Sequence, residues 1–267
     1  MEPDPPQLSL GAVSLEVVDG VAALTLDRPD VANAIDLEMA QDLERAARSL
    51  SDDPRVRAVL LAGRGERFCA GGDLRAFAAE GDLPAALRQI TTALHAAVSR
   101  LVRLDAPVVA AVQGSAAGAG LGLVAAADLV VAAASARFVM AYTAVGLTPD
   151  GSSTYFLPRL VGSRRALELA LTNRTLTADE ALEWGIVNEV VADADMTERA
   201  TALVSSLASG PTRSFGAAKR LLRRSSHESL ETQMEDESEL LAEAAVRADA
   251  REGIAAFLDK RPPRFEG

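Results

Sequence analysis

Apolar positions along this chain recur with two different spacings. Residues 14–19 (SLEVVD) and 21–26 (VAALTL) flank Gly20 and read as two strands of a hairpin. Residues 27–30 (DRPD) form a turn signal. Over 37–51, Leu37, Ala40, Leu43 and Ala47 return at helical spacing behind Asp36, a capping residue. Unbroken apolar runs at 57–62 (RAVLLA) and 107–112 (PVVAAV) predict buried strands, and 128–133 and 137–140 predict two more. Helices are expected at 73–80 and 84–104. Strands alternating with helices predict an α/β protein. After residue 150 the pattern turns helical, with candidates at 152–161, 163–172, 177–184, 196–209, 211–225, 230–248 and 251–260. Only 186–191 reads as a strand there. The expected organisation is a disordered tail at 1–10, a core over 11–200 and a helical region over 201–267.

Two stretches share one design. Strand 107–112 passes through Gln113 and Gly114 into Ser115-Ala-Ala-Gly-Ala-Gly-Leu-Gly122, then into an alanine-rich buried helix. Strand 57–62 passes through 63–67 into Phe68-Cys-Ala-Gly-Gly-Asp-Leu74 and another helix. A helix start leaves backbone N–H groups unpaired, and its dipole favours negative charge. Missing side chains let a ligand approach the backbone. Close helix packing also selects small residues, so one such corner decides nothing. Two corners, however, can aim their amides at one oxygen, which is the design of an oxyanion hole.

Composition narrows the field. The chain has 267 residues, 49% of them hydrophobic, enough for one large core. Its net charge of −11 argues against nucleic acid as a partner. No apolar run is long and unbroken enough for a membrane span, so no membrane partner is expected. The acidic, proline-rich start does not read as a targeting peptide. The single cysteine, Cys69, rules out an internal disulfide and suits a reducing, cytoplasmic setting. The two histidines, His95 and His227, lie far apart on predicted helices, so no histidine-rich metal site is expected.

The motifs together resemble the enoyl-CoA hydratase/isomerase (crotonase) family. The match runs through Leu26-Asp-Arg-Pro29, Asn33-Ala-Ile35, the Phe68–Leu74 motif, Pro107–Gly114 with Gly118-Ala-Gly120, and Arg251-Glu-Gly253 with Ala256-Phe257 and Lys260-Arg261. It covers residues 12–264. The resemblance implies a crotonase-like spiral of ββα units with a helical C-terminal trimerisation region. It also implies an acyl-CoA thioester ligand, a homotrimer or dimer of trimers, and no metal or redox cofactor, coenzyme A being part of the substrate. Carried across by motif, the two oxyanion-holding amides fall on Gly72 and Ala119. Arg28, Ala70, Phe257 and Lys260 fall among the substrate contacts, with Phe257 and Lys260 touching the coenzyme, sometimes across a subunit interface. A surface salt bridge suits Arg28 equally well. Asp73 reads as a cap that orders its loop. Nothing near Cys69 marks a lowered thiol pKa, so it reads as a small buried residue.

The family's hydratases use two glutamates, and here those positions hold Gly122 and Tyr142. A glycine neither positions water nor moves protons, so hydration by that route is not expected. One carboxylate remains, Asp150, in Pro149-Asp150-Gly151. Together with Leu157-Pro-Arg-Leu-Val-Gly162, Trp184-Gly185 and Ala256-Phe257-Leu258, it resembles the isomerase branch, in particular the 1,2-epoxyphenylacetyl-CoA isomerases and Δ3,Δ2-enoyl-CoA isomerases. Asp150 is also well placed to cap a helix. With both glutamates missing, it is the expected single acid/base. Tyr142 either donates a hydrogen bond to substrate or lines the pocket. The acyl pocket is expected from 75–105. Three readings stay open: an acyl-CoA isomerase, a hydratase-like enzyme using other groups, and a non-catalytic acyl-CoA-binding protein.

Overall fold

The computed structural model describes residues 8–267. Its strands are β1 (Leu8–Ser9), β2 (Val13–Val18), β3 (Val21–Leu26), β4 (Ala58–Gly63), β5 (Val108–Val112), β6 (Ser115–Ala117), β7 (Leu129–Ala133), β8 (Arg137–Val139), β9 (Leu176–Thr177) and β10 (Glu189–Val191). A seven-stranded sheet runs β1-β2-β3-β4-β5-β7-β10, and a small sheet runs β6-β8-β9. The β2–β3 hairpin turns on Asp19 and Gly20, both at positive φ, as a tight two-residue turn requires. From β3 to β10 the large sheet is parallel. β5 and β7 each hand the chain to the small sheet, through β6 and β8. This stepping between two sheets is the spiral the resemblance implies.

The helices are α1 (Leu37–Asp52), α2 (Leu74–Ala79), α3 (Leu83–Arg103), α4 (Ala119–Ala126), α5 (Ser153–Thr172), α6 (Ala178–Glu183), α7 (Met196–Ala208), α8 (Thr212–Arg224), α9 (Leu230–Ala245) and α10 (Ala248–Leu258). Asp36 caps α1 as expected, accepting from the Met39 amide at 2.9 Å. All five residues of β5 are buried, because the sheet is covered on both faces. One face packs into the main core with Met39, Leu43 and Leu94. The other presents Val109, Ala111 and Val131 to Met196, Ala200 and Val204 of α7.

Several expectations change. Leu8 and Ser9 pair with β2 rather than joining a disordered tail, while residues 1–7 lie outside the described residues. Residues 115–117, expected within a glycine-rich turn, form β6. Ile186 and Val187 enter the core, leaving only 189–191 in the sheet. The expected helix 230–248 stops at Ala245, and α10 starts at Ala248. The two helices expected at 152–161 and 163–172, by contrast, are both found: α5 consists of two helical segments divided at Gly162 by φ 79° and ψ 156°. Among the described residues, no helix is long and apolar enough to cross a membrane. α9 buries no residue and α10 buries only Ala256.

One buried side chain ties the loop after β3 to the loop after β4. The Asn33 amide donates to the carbonyls of Arg64 at 3.0 Å, Arg67 at 2.8 Å and Phe68 at 3.1 Å. Its oxygen accepts from the Arg28 amide at 2.9 Å. Removing it strands buried polar groups, each costing about 1–3 kcal/mol. Asn33→Ala is therefore expected to lower the unfolding free energy by about 3 kcal/mol in urea titration. A loss below about 1 kcal/mol contradicts this role.

Candidate active site

The site stands at the C-terminal ends of β4 and β5, where parallel sheets commonly bind ligands. The two glycine corners leave those strands side by side. Phe68 donates its amide to Gln113 at 2.9 Å, Cys69 to Ser115 at 3.0 Å, and Ala117 returns a bond to Cys69 at 2.9 Å. Gly71 (φ 93°) and Gly118 (φ 51°) then turn in contact with each other. A Cβ on Gly71 would lie 2.9 Å from the Ala117 carbonyl oxygen, and one on Gly118 would lie 3.6 Å from the Gly71 Cα. The amides of Gly72 and Ala119 follow these turns, and neither has a hydrogen-bond acceptor among the described residues. Both residues line one cavity of about 270 Å³.

A third corner brings Asp150 to the same cavity. Gly151 has φ 60°, and a Cβ on it would lie 3.4 Å from the Ala119 Cα. A Cβ on Gly122 would lie 2.3 Å from the Gly151 carbonyl oxygen. The missing side chain at 122 thus makes room for the loop that carries Asp150. The N-cap of α5 is Ser152, which accepts no capping bond. Ser153 bonds the Asp150 carbonyl instead, through its hydroxyl at 2.7 Å and its amide at 3.2 Å. The Asp150 carboxylate does not cap the helix. It meets His95 Nε2 at 2.6 Å.

His95 is the residue sequence reasoning missed. It lies on α3, one turn after Thr91, on the border of a face whose Leu87, Ile90, Thr91 and Leu94 line the cavity. An ionisable residue at the edge of that face was the available signal. Its distance in sequence from Asp150 hid the pairing. The expectation that 75–105 supplies the acyl pocket agrees with this lining, which also includes Phe77 and Arg88.

Tyr142 lines the cavity too, held by carbonyl bonds to the amides of Val145 at 3.1 Å and Leu147 at 3.0 Å. Its hydroxyl is buried and finds no acceptor among the described residues. Burial, and then the nearby Asp150 charge, push the phenol well above its usual range. Asp73 caps α2, accepting from Arg75 at 3.2 Å and Ala76 at 3.1 Å. For Arg28 the structure shows the salt-bridge alternative. Its guanidinium pairs with Asp36 at 2.9 Å and Asp73 at 3.2 Å, so it braces the corner instead. Ala70 donates its amide to Ala32 at 3.0 Å and is not part of the cavity wall. Phe257 and Lys260 are exposed on and after α10, away from that wall. A larger open cleft of about 730 Å³, around Arg57 and Asp105 at the other end of β4, holds none of the expected site residues.

The fold and the cavity define an α/β protein in which two unpaired amides and one carboxylate share a single cavity. The family model described as enoyl-CoA hydratase/isomerase matches residues 16–267, and the chain belongs to that family. A probable enoyl-CoA hydratase of Rhodobacter capsulatus is 41% identical over 97% of this chain and 100% of its own length. The 1,2-epoxyphenylacetyl-CoA isomerase of Escherichia coli is 40% identical, covering 94% of this chain and 97% of itself. A 4-chlorobenzoyl coenzyme A dehalogenase of an Arthrobacter species is 37% identical, covering 93% and 91%. A solved structure from Mycobacterium abscessus, a candidate enoyl-CoA hydratase/isomerase, superposes with a TM-score of 0.92 at 36% identity, covering 96% of this chain and all of its own. The crotonase fold is thereby shared over nearly the whole chain.

Cys69 lies behind the first corner, fully buried, and burial pushes its thiol up to about 12. The folded chain keeps a proton that the unfolded chain releases near the ordinary thiol value of 9.0. Its contribution to stability is therefore full below that pH and declines as pH rises above it. A thiol reagent at pH 8 is expected to leave the native protein unlabelled and to label it in urea. Rapid labelling of the native protein contradicts the burial.

Proposed function

We propose that the chain is an acyl-CoA isomerase that shifts a double bond, or rearranges a ring epoxide, through a thioester enolate. The observation that carries this reading is the Asp150 carboxylate. It is free of helix capping, held by His95 at 2.6 Å, and shares a cavity with the unpaired amides of Gly72 and Ala119.

In this reading a β,γ-unsaturated acyl-CoA sets its thioester oxygen on the two amides. Asp150 removes an α-proton, and the electron pair passes through the carbonyl carbon to that oxygen. The dienolate collapses as protonated Asp150 delivers the proton to the γ-carbon, leaving an α,β double bond. One carboxylate serves as base and then acid. An amide that tightens as the oxygen gains charge contributes about 3 kcal/mol to the barrier reduction. His95 fixes the carboxylate's orientation. The reaction is redox-neutral, so it requires no resident redox cofactor. Two-carboxylate hydration lacks its groups, because Gly122 and Tyr142 occupy their positions.

The His95–Asp150 pair favours one second reading. A carboxylate beside a histidine also suits covalent catalysis, in which Asp150 displaces a leaving group and His95 activates the water that frees the product. The dehalogenase relative makes halogenated aroyl-CoA the substrate to try. Chloride release from 4-chlorobenzoyl-CoA would favour that reading over isomerisation.

With 3-hexenoyl-CoA, wild-type protein is expected to form the 2-enoyl isomer. Asp150→Asn is expected to cut turnover by about 10²–10⁴-fold, and His95→Ala by a smaller factor. Unchanged turnover in Asp150→Asn contradicts the mechanism. Tight binding without turnover of any enoyl-CoA favours a non-catalytic binder.

Assembly as a trimer or a dimer of trimers belongs to the same proposal. Leu230, Leu241, Ile254, Phe257 and Leu258 expose large apolar surfaces on α9 and α10. A second copy covering them would bring Phe257 and Lys260 to a neighbour's coenzyme. Light scattering is expected to give a trimer or a multiple of it, with Phe257→Asp shifted toward monomer. A monomeric wild type contradicts the assembly.

A further inference from the structure

The cavity wall contains one buried polar group that the reaction above leaves unused. The Tyr142 hydroxyl is shut off from solvent; the Asp150 backbone amide lies beside its oxygen, but its own O–H finds no acceptor among the described residues. The other side-chain hydroxyl on the same wall besides Thr148, that of Thr91, is given to the Arg88 carbonyl at 3.2 Å. An unsatisfied buried hydroxyl costs about 1–3 kcal/mol, and buried polar groups rarely go unpaired. A phenylalanine would supply the same ring without that cost.

The ring is held in place from both ends. Ala141 takes φ 60°, a left-handed conformation unusual for alanine, to aim the next residue. The backbone of Tyr142 is pinned by the Val145 and Leu147 amides. The ring edge would lie 3.7 Å from a Cβ on Gly118, so it packs against the corner that ends in the Ala119 amide. Whatever meets the hydroxyl therefore lies near the thioester end of a bound acyl group. Because the phenol keeps its proton, it is a donor in search of an acceptor.

We propose that Tyr142 recognises an oxygen atom on the acyl group, close to the thioester, and so selects oxygen-bearing acyl-CoA thioesters over plain enoyl-CoAs. The inference rests on the acyl-CoA reading of the cavity. It gives Tyr142 a task separate from that of Asp150: it binds the substituent and moves no proton.

The test is a binding comparison that needs no turnover. Calorimetry measures two pairs of ligands, 2-hydroxyphenylacetyl-CoA against phenylacetyl-CoA and 3-hydroxybutyryl-CoA against butyryl-CoA. Wild-type protein is expected to bind the oxygenated member of at least one pair about 3- to 10-fold more tightly, the range of one neutral hydrogen bond. Tyr142→Phe is expected to erase that preference, keep the affinity for the deoxy ligand, and match or exceed the wild-type melting temperature. Asp150→Asn is expected to retain the preference, which separates this inference from the isomerase reading. No preference in either pair, or a preference that survives in Tyr142→Phe, overturns the proposal. Failure of every CoA ester to bind overturns it together with the acyl-CoA reading.

Discussion

The site depends on a backbone contact between two glycines. Gly71 and Gly118 turn the chain out of β4 and β5 at positive φ, near enough that a methyl group on Gly71 would meet the Ala117 carbonyl oxygen at 2.9 Å. The parallel bonding from Phe68 to Ala117 holds these corners in register. As a result, two amides, one just ahead of α2 and one at the start of α4, open onto one cavity. The donors are main-chain groups, fixed by the fold and free of rotamer entropy, which is the preorganisation that stabilises developing charge most effectively.

A third glycine contact accounts for which carboxylate reaches the cavity. Gly122 meets Gly151 so closely that even a Cβ would collide with its carbonyl oxygen. A glutamate at 122 and the present course of the 150–151 loop cannot coexist. The chain carries one carboxylate from this loop, held by His95, in place of a carboxylate from α4. Sequence, packing and chemistry are coupled at this point, because the small residue that removes one carboxylate admits another.

Much of this was legible in the sequence. The hairpin, α1 with its Asp36 cap, and the parallel strands announced themselves by period and capping chemistry. Their signals are local, and the structure agrees with them. The two glycine corners were legible as a repeated pattern, and the family motifs pointed to Gly72, Ala119 and Asp150, which the fold brings to one cavity. Other features were hidden because they depend on distant partners. That the Asp150 carboxylate leaves the helix uncapped was hidden, because its partner His95 lies 55 residues away. The pairing of Arg28 with Asp36 and Asp73 was hidden too, because it forms only when the corner after β4 folds against the loop after β3. β6 was hidden because three small residues carry no strand signal until a neighbouring strand pairs with them.

The central claim is that the Gly72 and Ala119 amides polarise one thioester carbonyl. Isotope-edited infrared spectroscopy of an acyl-CoA labelled with ¹³C at that carbonyl reads it directly. The account predicts that the carbonyl band moves to lower frequency on binding, and that the move shrinks in Gly118→Ala, where the corner is displaced. A bound ligand whose carbonyl band stays at its position in water would contradict it.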